Sequence, residues 1–122
     1  MPIWPCAHAD HEGPGDQPVW APILRAVGEE LTGGFMYMFR ARFEDGRVVH
    51  AYKHHITRCY LFLDDGGTAY EWTRCGGYAP LRLDWAIERA LFTWFASSLF
   101  SDDERAAVLA AYERSHAQVA EQ

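Results

Sequence analysis

GFMYMFRARFEDGRVVHAYKHHITRCYLFLDDGGTAYEW, residues Gly34 to Trp72, is the stretch that decides the fold. Asp45-Gly46 separates two runs rich in aromatic and β-branched residues. Asp-Gly suits a two-residue type I′ hairpin turn, because both central residues need positive φ. That turn predicts a register in which Phe43 faces Val48, Ala41 faces His50, Phe39 faces Tyr52 and Tyr37 faces His54. Side chains alternate between faces with a period of two. One core-facing side is therefore expected to carry Phe35, Tyr37, Phe39, Ala41, Phe43, Val48, His50, Tyr52 and His54. The other is expected to carry Met36, Met38, Arg40, Arg42, Val49, Ala51, Lys53 and His55. Asp64-Asp65-Gly66-Gly67 marks a second hairpin, with a loop of two or four residues. The strand before it, Arg58 to Leu63, is apolar on both sides, which predicts a central or doubly covered strand. The stretch thus predicts a four-stranded antiparallel meander.

Outward from the meander the signals turn helical. Pro22 to Leu31 reads as a short helix with Ile23, Leu24, Val27 and Leu31 on one side and Gly33-Gly34 at its end. On the C-terminal side, Thr73 to Leu83 reads as a loop containing Gly76-Gly77 and Pro80, and Asp84 as the N-cap of a helix reaching about Ser98. The apolar residues of that helix, among them Trp85, Ile87, Ala90, Leu91, Phe92, Trp94 and Phe95, run almost all the way round. Ser101-Asp102-Asp103-Glu104 matches a capping box opening a last helix, with Val108, Leu109, Tyr112, His116 and Val119 as its inner stripe. The expected fold class is α+β: the meander, a short helix before it, and a helical hairpin packed on one face. Residues 1–21, with Pro2, Pro5, Pro14 and Pro18, read as an irregular arm, and residues 22–122 as a single domain.

Bulk composition narrows the function classes. With 122 residues, 49% hydrophobic and 15% aromatic, the chain fills one domain core. A net charge of −6 argues against a general binder of nucleic acid or anionic membrane and suits a basic partner. The apolar runs are too short for a membrane span, and the N-terminus shows no basic leader, so a cytoplasmic protein with reduced thiols at Cys6, Cys59 and Cys75 is the expectation.

Four groups of residues carry candidate chemistry. Cys6, His8 and His11 form a C-x-H-x-x-H cluster of zinc-ligand types, for which Asp10, Asp16, Cys59 or Cys75 would have to supply the fourth ligand. The paired ligand sets of zinc fingers are absent, and histidines scattered in a proline-rich arm account for the cluster equally simply. His50, Tyr52 and His54 share one strand face, so a small hydrolase with a histidine acid–base pair is an alternative. Against it stands the ordinary half-buried, hydrogen-bonded histidine, and no nucleophile motif accompanies the cluster. Arg40, Arg42, Lys53 and Arg58 beside Tyr60 resemble in type the basic and aromatic side chains of a single-strand-binding sheet, an alternative opposed by the acidic total charge.

Trp4, Trp20, Trp85, Trp94 and Phe95 lie outside the meander, and aromatic residues of this kind anchor protein interfaces. The leading expectation is therefore a small protein–protein interaction module: an inhibitor, adaptor or antitoxin-like blocker of a basic partner, with a homodimer through the apolar helix also expected. No cofactor is expected apart from zinc under the arm alternative.

Overall fold

One loop is used three times to fold this chain back on itself. In residues 43–47, 64–68 and 73–77 the first N–H donates to the fifth carbonyl: Phe43 to Arg47 at 2.8 Å, Asp64 to Thr68 at 3.0 Å and Thr73 to Gly77 at 2.8 Å. The fourth N–H donates back to the first carbonyl, from Gly46, Gly67 and Gly76 at 3.0, 3.1 and 3.1 Å. Those three glycines have φ of +88°, +89° and +81°. At 43–47 and 64–68 this is the three-residue hairpin, a type I turn followed by a left-handed residue, and in all three loops glycine takes the left-handed position without a Cβ penalty.

The computed structural model describes residues 9–13, 18–74, 76–92 and 101–120, with side chains through residue 114. Among the described residues are six strands and three helices: β1 (Ala9–Glu12), α1 (Ala21–Thr32), β2 (Phe35–Phe43), β3 (Val48–His54), β4 (Tyr60–Asp64), β5 (Ala69–Trp72), β6 (Tyr78–Leu81), α2 (Leu83–Phe92) and α3 (Asp102–Ala120). The α+β class holds, but the sheet is a six-stranded antiparallel meander in sequence order rather than a four-stranded one. The added strands are its two edges. β1 comes from the segment expected to be irregular and pairs with β2, from Ala9↔Phe43 to Glu12↔Arg40. β6 comes from the segment expected to be a loop and pairs with β5, from Ala69↔Leu81 to Trp72↔Tyr78.

The first hairpin also corrects the register. A three-residue loop sets Arg42 opposite Val48, Ala41 opposite Val49, Arg40 opposite His50 and Phe39 opposite Ala51, one residue away from the expectation. Between Tyr37 and Phe39 the ladder shifts again, with Met38 as the extra residue, so that Tyr37 meets Tyr52 and Phe35 meets His54. Two residues apart on one strand, Tyr37 and Phe39 thereby point to opposite faces. The expected single core face is split. Phe35 and Tyr37 lie with His50, Tyr52 and His54; Phe39, Ala41 and Phe43 lie with Val49 and Ala51.

Each face has its own core. On the helix side, Phe35, Tyr52, Leu61, Leu63 and Ala69 pack against Ile23, Val27 and Leu31 of α1, Ala86, Ala90 and Leu91 of α2, and Val108 of α3. On the other side, Ala41, Phe43, Val49, Ala51, Phe62, Tyr70 and Tyr78 form a second cluster, with Ala9, Met38 and Phe39 against it. Here the sheet curls inward. His11 Nε2 and the Tyr78 hydroxyl are 2.9 Å apart, so the first and last strands touch through side chains across the concavity. Alanines at 9, 41 and 51 leave room for that curvature, and aromatic rings fill it. β4, apolar on both faces, is buried by both clusters as expected.

The helices follow their sequence signals with small departures. Pro22, Ile23, Val27 and Leu31 of α1 are buried, whereas Leu24 is exposed. Ile23 and Val27, one helical turn apart, set the buried face and leave Leu24 beside it, and Gly28, at φ 84° and ψ 171°, breaks the helical path after Val27. The Arg82 carbonyl accepts from Ala86 N–H at 2.9 Å, so α2 starts slightly before Asp84, whose carboxylate instead accepts from Trp85 N–H at 2.9 Å. The capping box of α3 is formed: Ser101 N–H to Glu104 Oε1 at 3.0 Å and Glu104 N–H to Ser101 Oγ at 3.1 Å. Val108 faces the core, but Leu109 faces outward, and the side chains of His116 and Val119 lie outside the described residues. α3 is tied to α1 by a bidentate Arg114–Glu30 pair and meets α2 through the Phe92–Tyr112 ring contact at 5.0 Å.

Candidate functional site

The concave face is closed at one end and open at the other. At the closed end, buried Asp64 accepts from Gly66 and Thr68 N–H and from the Tyr70 hydroxyl, each at 2.9 Å. Arg47 donates to the same hydroxyl at 2.7 Å and lies over Phe43 at 5.6 Å. Burial, and the hydrogen bond to Asp64, raise the Tyr70 phenol, so it remains a donor.

At the open end, six rings close a circuit. Their successive centroid separations are His11–Phe39 5.2 Å, Phe39–Tyr60 6.1 Å, Tyr60–Phe62 5.5 Å, Phe62–Tyr78 5.2 Å, Tyr78–Trp72 5.0 Å and Trp72–His11 5.7 Å. These spacings are those of favourable aromatic pairs. Tyr78 is fully buried and its phenol is pushed up to about 12 by desolvation. Tyr60 and Trp72 are 37% and 51% exposed. The β4–β5 ladder consists of Phe62↔Tyr70 and Leu63↔Ala69, so Tyr60 and Trp72 part beyond it. A cavity of about 220 Å³ occupies that slot, lined by Tyr60, Phe62, Tyr70 and Trp72 from the concave side and by Cys59, Glu71, Leu81, Ala86 and Arg89 from the helix side.

A second depression, about 500 Å³, runs along α2 between Glu71, Trp85, Glu88, Arg89 and Phe92. Trp85 is 55% exposed, and the Arg82 guanidinium lies over its ring at 5.8 Å. Arg89 pairs with Glu71 at 2.6 Å, and both residues line this groove and the slot. Glu88 has no ion pair among the described residues.

No protein-family model, curated protein or solved structure matches this chain.

The histidine cluster is present but not convergent. His50, 3% exposed, is held by Tyr37 Oη at Nδ1 and Asp65 Oδ1 at Nε2, both at 2.8 Å. A carboxylate only accepts, so Nε2 carries the proton and Nδ1 accepts from Tyr37. Tyr52 instead donates to the Val19 carbonyl at 2.5 Å, and burial raises its phenol far above the ordinary value. Nδ1 of His54 accepts from the N–H groups of Ile56 and Thr57 at 3.2 and 3.3 Å. Burial, then the neighbouring His55, lower the His54 imidazole to about 4. The relay Tyr37–His50–Asp65 replaces the expected grouping of His50, Tyr52 and His54. Asp65 reads in the sequence as a turn residue, and Tyr37 reaches His50 only through the bulge at Met38.

The other candidate groups are divided. Cys6, His8, Asp16 and Cys75 lie outside the described residues; His11 is engaged by Tyr78, and Cys59 is a free, half-buried thiol. Arg40 and Arg42 lie on the helix-side face of the sheet, Arg42 paired with Glu12 at 3.3 Å, whereas Lys53 and Tyr60 lie on the concave face. The five expected nucleic-acid residues therefore do not share one surface, and Arg58 sits in the β3–β4 loop with φ of 60°. Of the aromatic anchors, Trp85 is presented to solvent, while Trp20 packs on Tyr37 and Tyr52 at 6.1 and 5.8 Å. Trp4, Trp94 and Phe95 lie outside the described residues. No helix among the described residues is long and apolar enough to cross a membrane.

Proposed function

We propose that this chain is a protein–protein interaction module that docks a basic partner through the groove along α2. The observation that carries the reading is Trp85. It stands more than half exposed on a helix whose Ala86, Ala90 and Leu91 are buried, beside a groove floored by Phe92. Interfaces are anchored by tryptophan, tyrosine and arginine surrounded by a polar rim. Glu88 and the net charge of −6 supply complementarity to a basic surface and speed its approach. Acting as an inhibitor, adaptor or antitoxin-like blocker needs no more than occupation of the partner's surface.

The test is a photo-crosslinking residue in place of Leu83, introduced in the native host. The expected product is one adduct with a different protein, lost in Trp85→Ala and in Glu88→Lys and weakened by salt. An adduct only with a second copy of this chain, or none, overturns the reading.

An acid–base function is the second reading, carried by the orientation of the relay. Tyr37 O–H donates to His50, which donates to Asp65, the order in which a hydroxyl is activated by a histidine and a carboxylate. Turnover of an activated phenyl ester that vanishes in both Tyr37→Phe and Asp65→Asn supports it. Equal rates in wild-type and Tyr37→Phe protein remove it.

A further inference from the structure

We propose that the open end of the concave face binds a small planar aromatic anion, its ring in the slot between Tyr60 and Trp72 and its negative group toward Lys53. Shape points to a flat ring. Tyr60, Phe62 and Trp72 of the ring cluster line the slot, and Tyr60 and Trp72 remain substantially exposed. Tyr60 and Phe62 are stacked nearly parallel, 11° apart, forming a platform on which a further ring can lie. Because β4 and β5 part beyond Phe62↔Tyr70, the platform borders a slot rather than a flat surface. Its volume of about 220 Å³ is below the roughly 300–1,000 Å³ of drug-sized sites, so one or two fused rings fill it.

Charge selects the substituent. Lys53 Nζ lies 5.6 Å from the centre of the Tyr60 ring and forms no ion pair among the described residues. Glu71 lines the slot, but its carboxylate is engaged by Arg89 at 2.6 Å. Lys53 is thus an unbalanced cation beside Tyr60 in a chain of net charge −6. An ammonium ligand would meet a cation already seated on Tyr60, whereas a carboxylate or phosphate meets an unmatched one. The His11–Tyr78 pair adds one hydrogen-bonding group at the opening. The slot adjoins the α2 groove and shares Glu71 and Arg89 with it, but Trp85 does not line it, and the proposal stands independently of the docking reading.

The experiment is isothermal titration of the full chain with 2-naphthoate, alongside 2-naphthylmethylammonium and decalin-2-carboxylate. Saturable one-to-one binding of naphthoate is expected, with both controls at least tenfold weaker. Trp72→Ala and Lys53→Met should each weaken naphthoate at least tenfold, and Trp85→Ala should leave it unchanged. Thermal melts confirm that the variants fold; if Trp72→Ala does not, Lys53→Met decides. No saturable binding at millimolar ligand overturns the proposal. So does binding indifferent to Lys53→Met, tighter binding of the ammonium, or loss of binding in Trp85→Ala.

Discussion

On the helix side of the sheet, Tyr52, Leu61 and Leu63 are almost inaccessible beneath α1, α2 and α3; on the concave side, Tyr60 and Trp72 hold comparably large apolar surfaces open to water. Both faces are rich in rings, so hydrophobic content alone does not distinguish them. The difference is what covers them. A face under helices gains the full transfer free energy of its side chains. A face that only curls on itself fills its closed end and leaves its open end available to a ligand. The bulge at Met38 makes the division, since it sends Tyr37 to the covered side and Phe39 to the curled one.

Deleting Met38 should break the comparison outright. Without the extra residue, either Phe35 and Tyr37 or Phe39, Ala41 and Phe43 must change faces, and the expected result is loss of cooperative unfolding in a denaturant titration. Retention of a sharp transition would show that the bulge is dispensable. Leu63→Ala, on the covered face, is expected to cost about 3 kcal/mol, read from the urea midpoint. Asp64→Ala should cost about 2 kcal/mol, because it strands two backbone N–H groups and a buried tyrosine hydroxyl at the closed end of the other face. If Asp64→Ala exceeded Leu63→Ala, the concave hydrogen-bond floor, and not the helical layer, would be the dominant stabiliser.

Acid sharpens the contrast in another way, because His54 belongs to the covered face. Its folded pKa, about 4, is below the ordinary 6.5, so the unfolded chain binds the proton first. The stabilising contribution of neutral His54 is complete above about pH 6.5 and is lost as pH falls toward 4, up to about 3 kcal/mol. Asn places an acceptor where Nδ1 sits, so His54→Asn should flatten the loss between pH 7 and 4.5. An unchanged acid limb in His54→Asn would assign it to carboxylates instead. The smallest effect is expected at the open end, where Trp72→Ala should shift stability by within about 0.5–1 kcal/mol.

Much of this was legible in the residues. The hairpins at Asp45-Gly46 and Asp64–Gly67, the doubly buried β4, the shared face of His50, Tyr52 and His54, and the Ser101–Glu104 capping box all follow from local chemistry. The register did not. Asp-Gly fits both a two-residue turn, with both residues at positive φ, and a three-residue turn, with glycine alone there. Here Gly46 alone is left-handed, and Asp45 instead accepts from Arg47 N–H at 2.9 Å. Nothing in FMYMFR marks Met38 as supernumerary, because every neighbour is apolar or amphipathic. The edge strands escaped for a related reason. Ala9–Glu12 and Tyr78–Leu81 are four residues each, one in a proline-rich segment and the other containing Pro80, too short for alternation to show. The candidate sites were least legible, since the slot arises where two strands part, a property of pairing rather than of any residue.

The contact between His11 and Tyr78 has a bearing on behaviour in concentrated solution. An open sheet ends in two rows of unmatched backbone groups, the usual starting points for intermolecular strand addition and fibre growth. Here both terminal strands are short, one includes a residue with no N–H to offer, and a side-chain bridge draws them toward each other. These features work against strand addition at the two sheet edges. Replacing His11 or Pro80 with a β-branched residue would be the direct way to restore a growing edge.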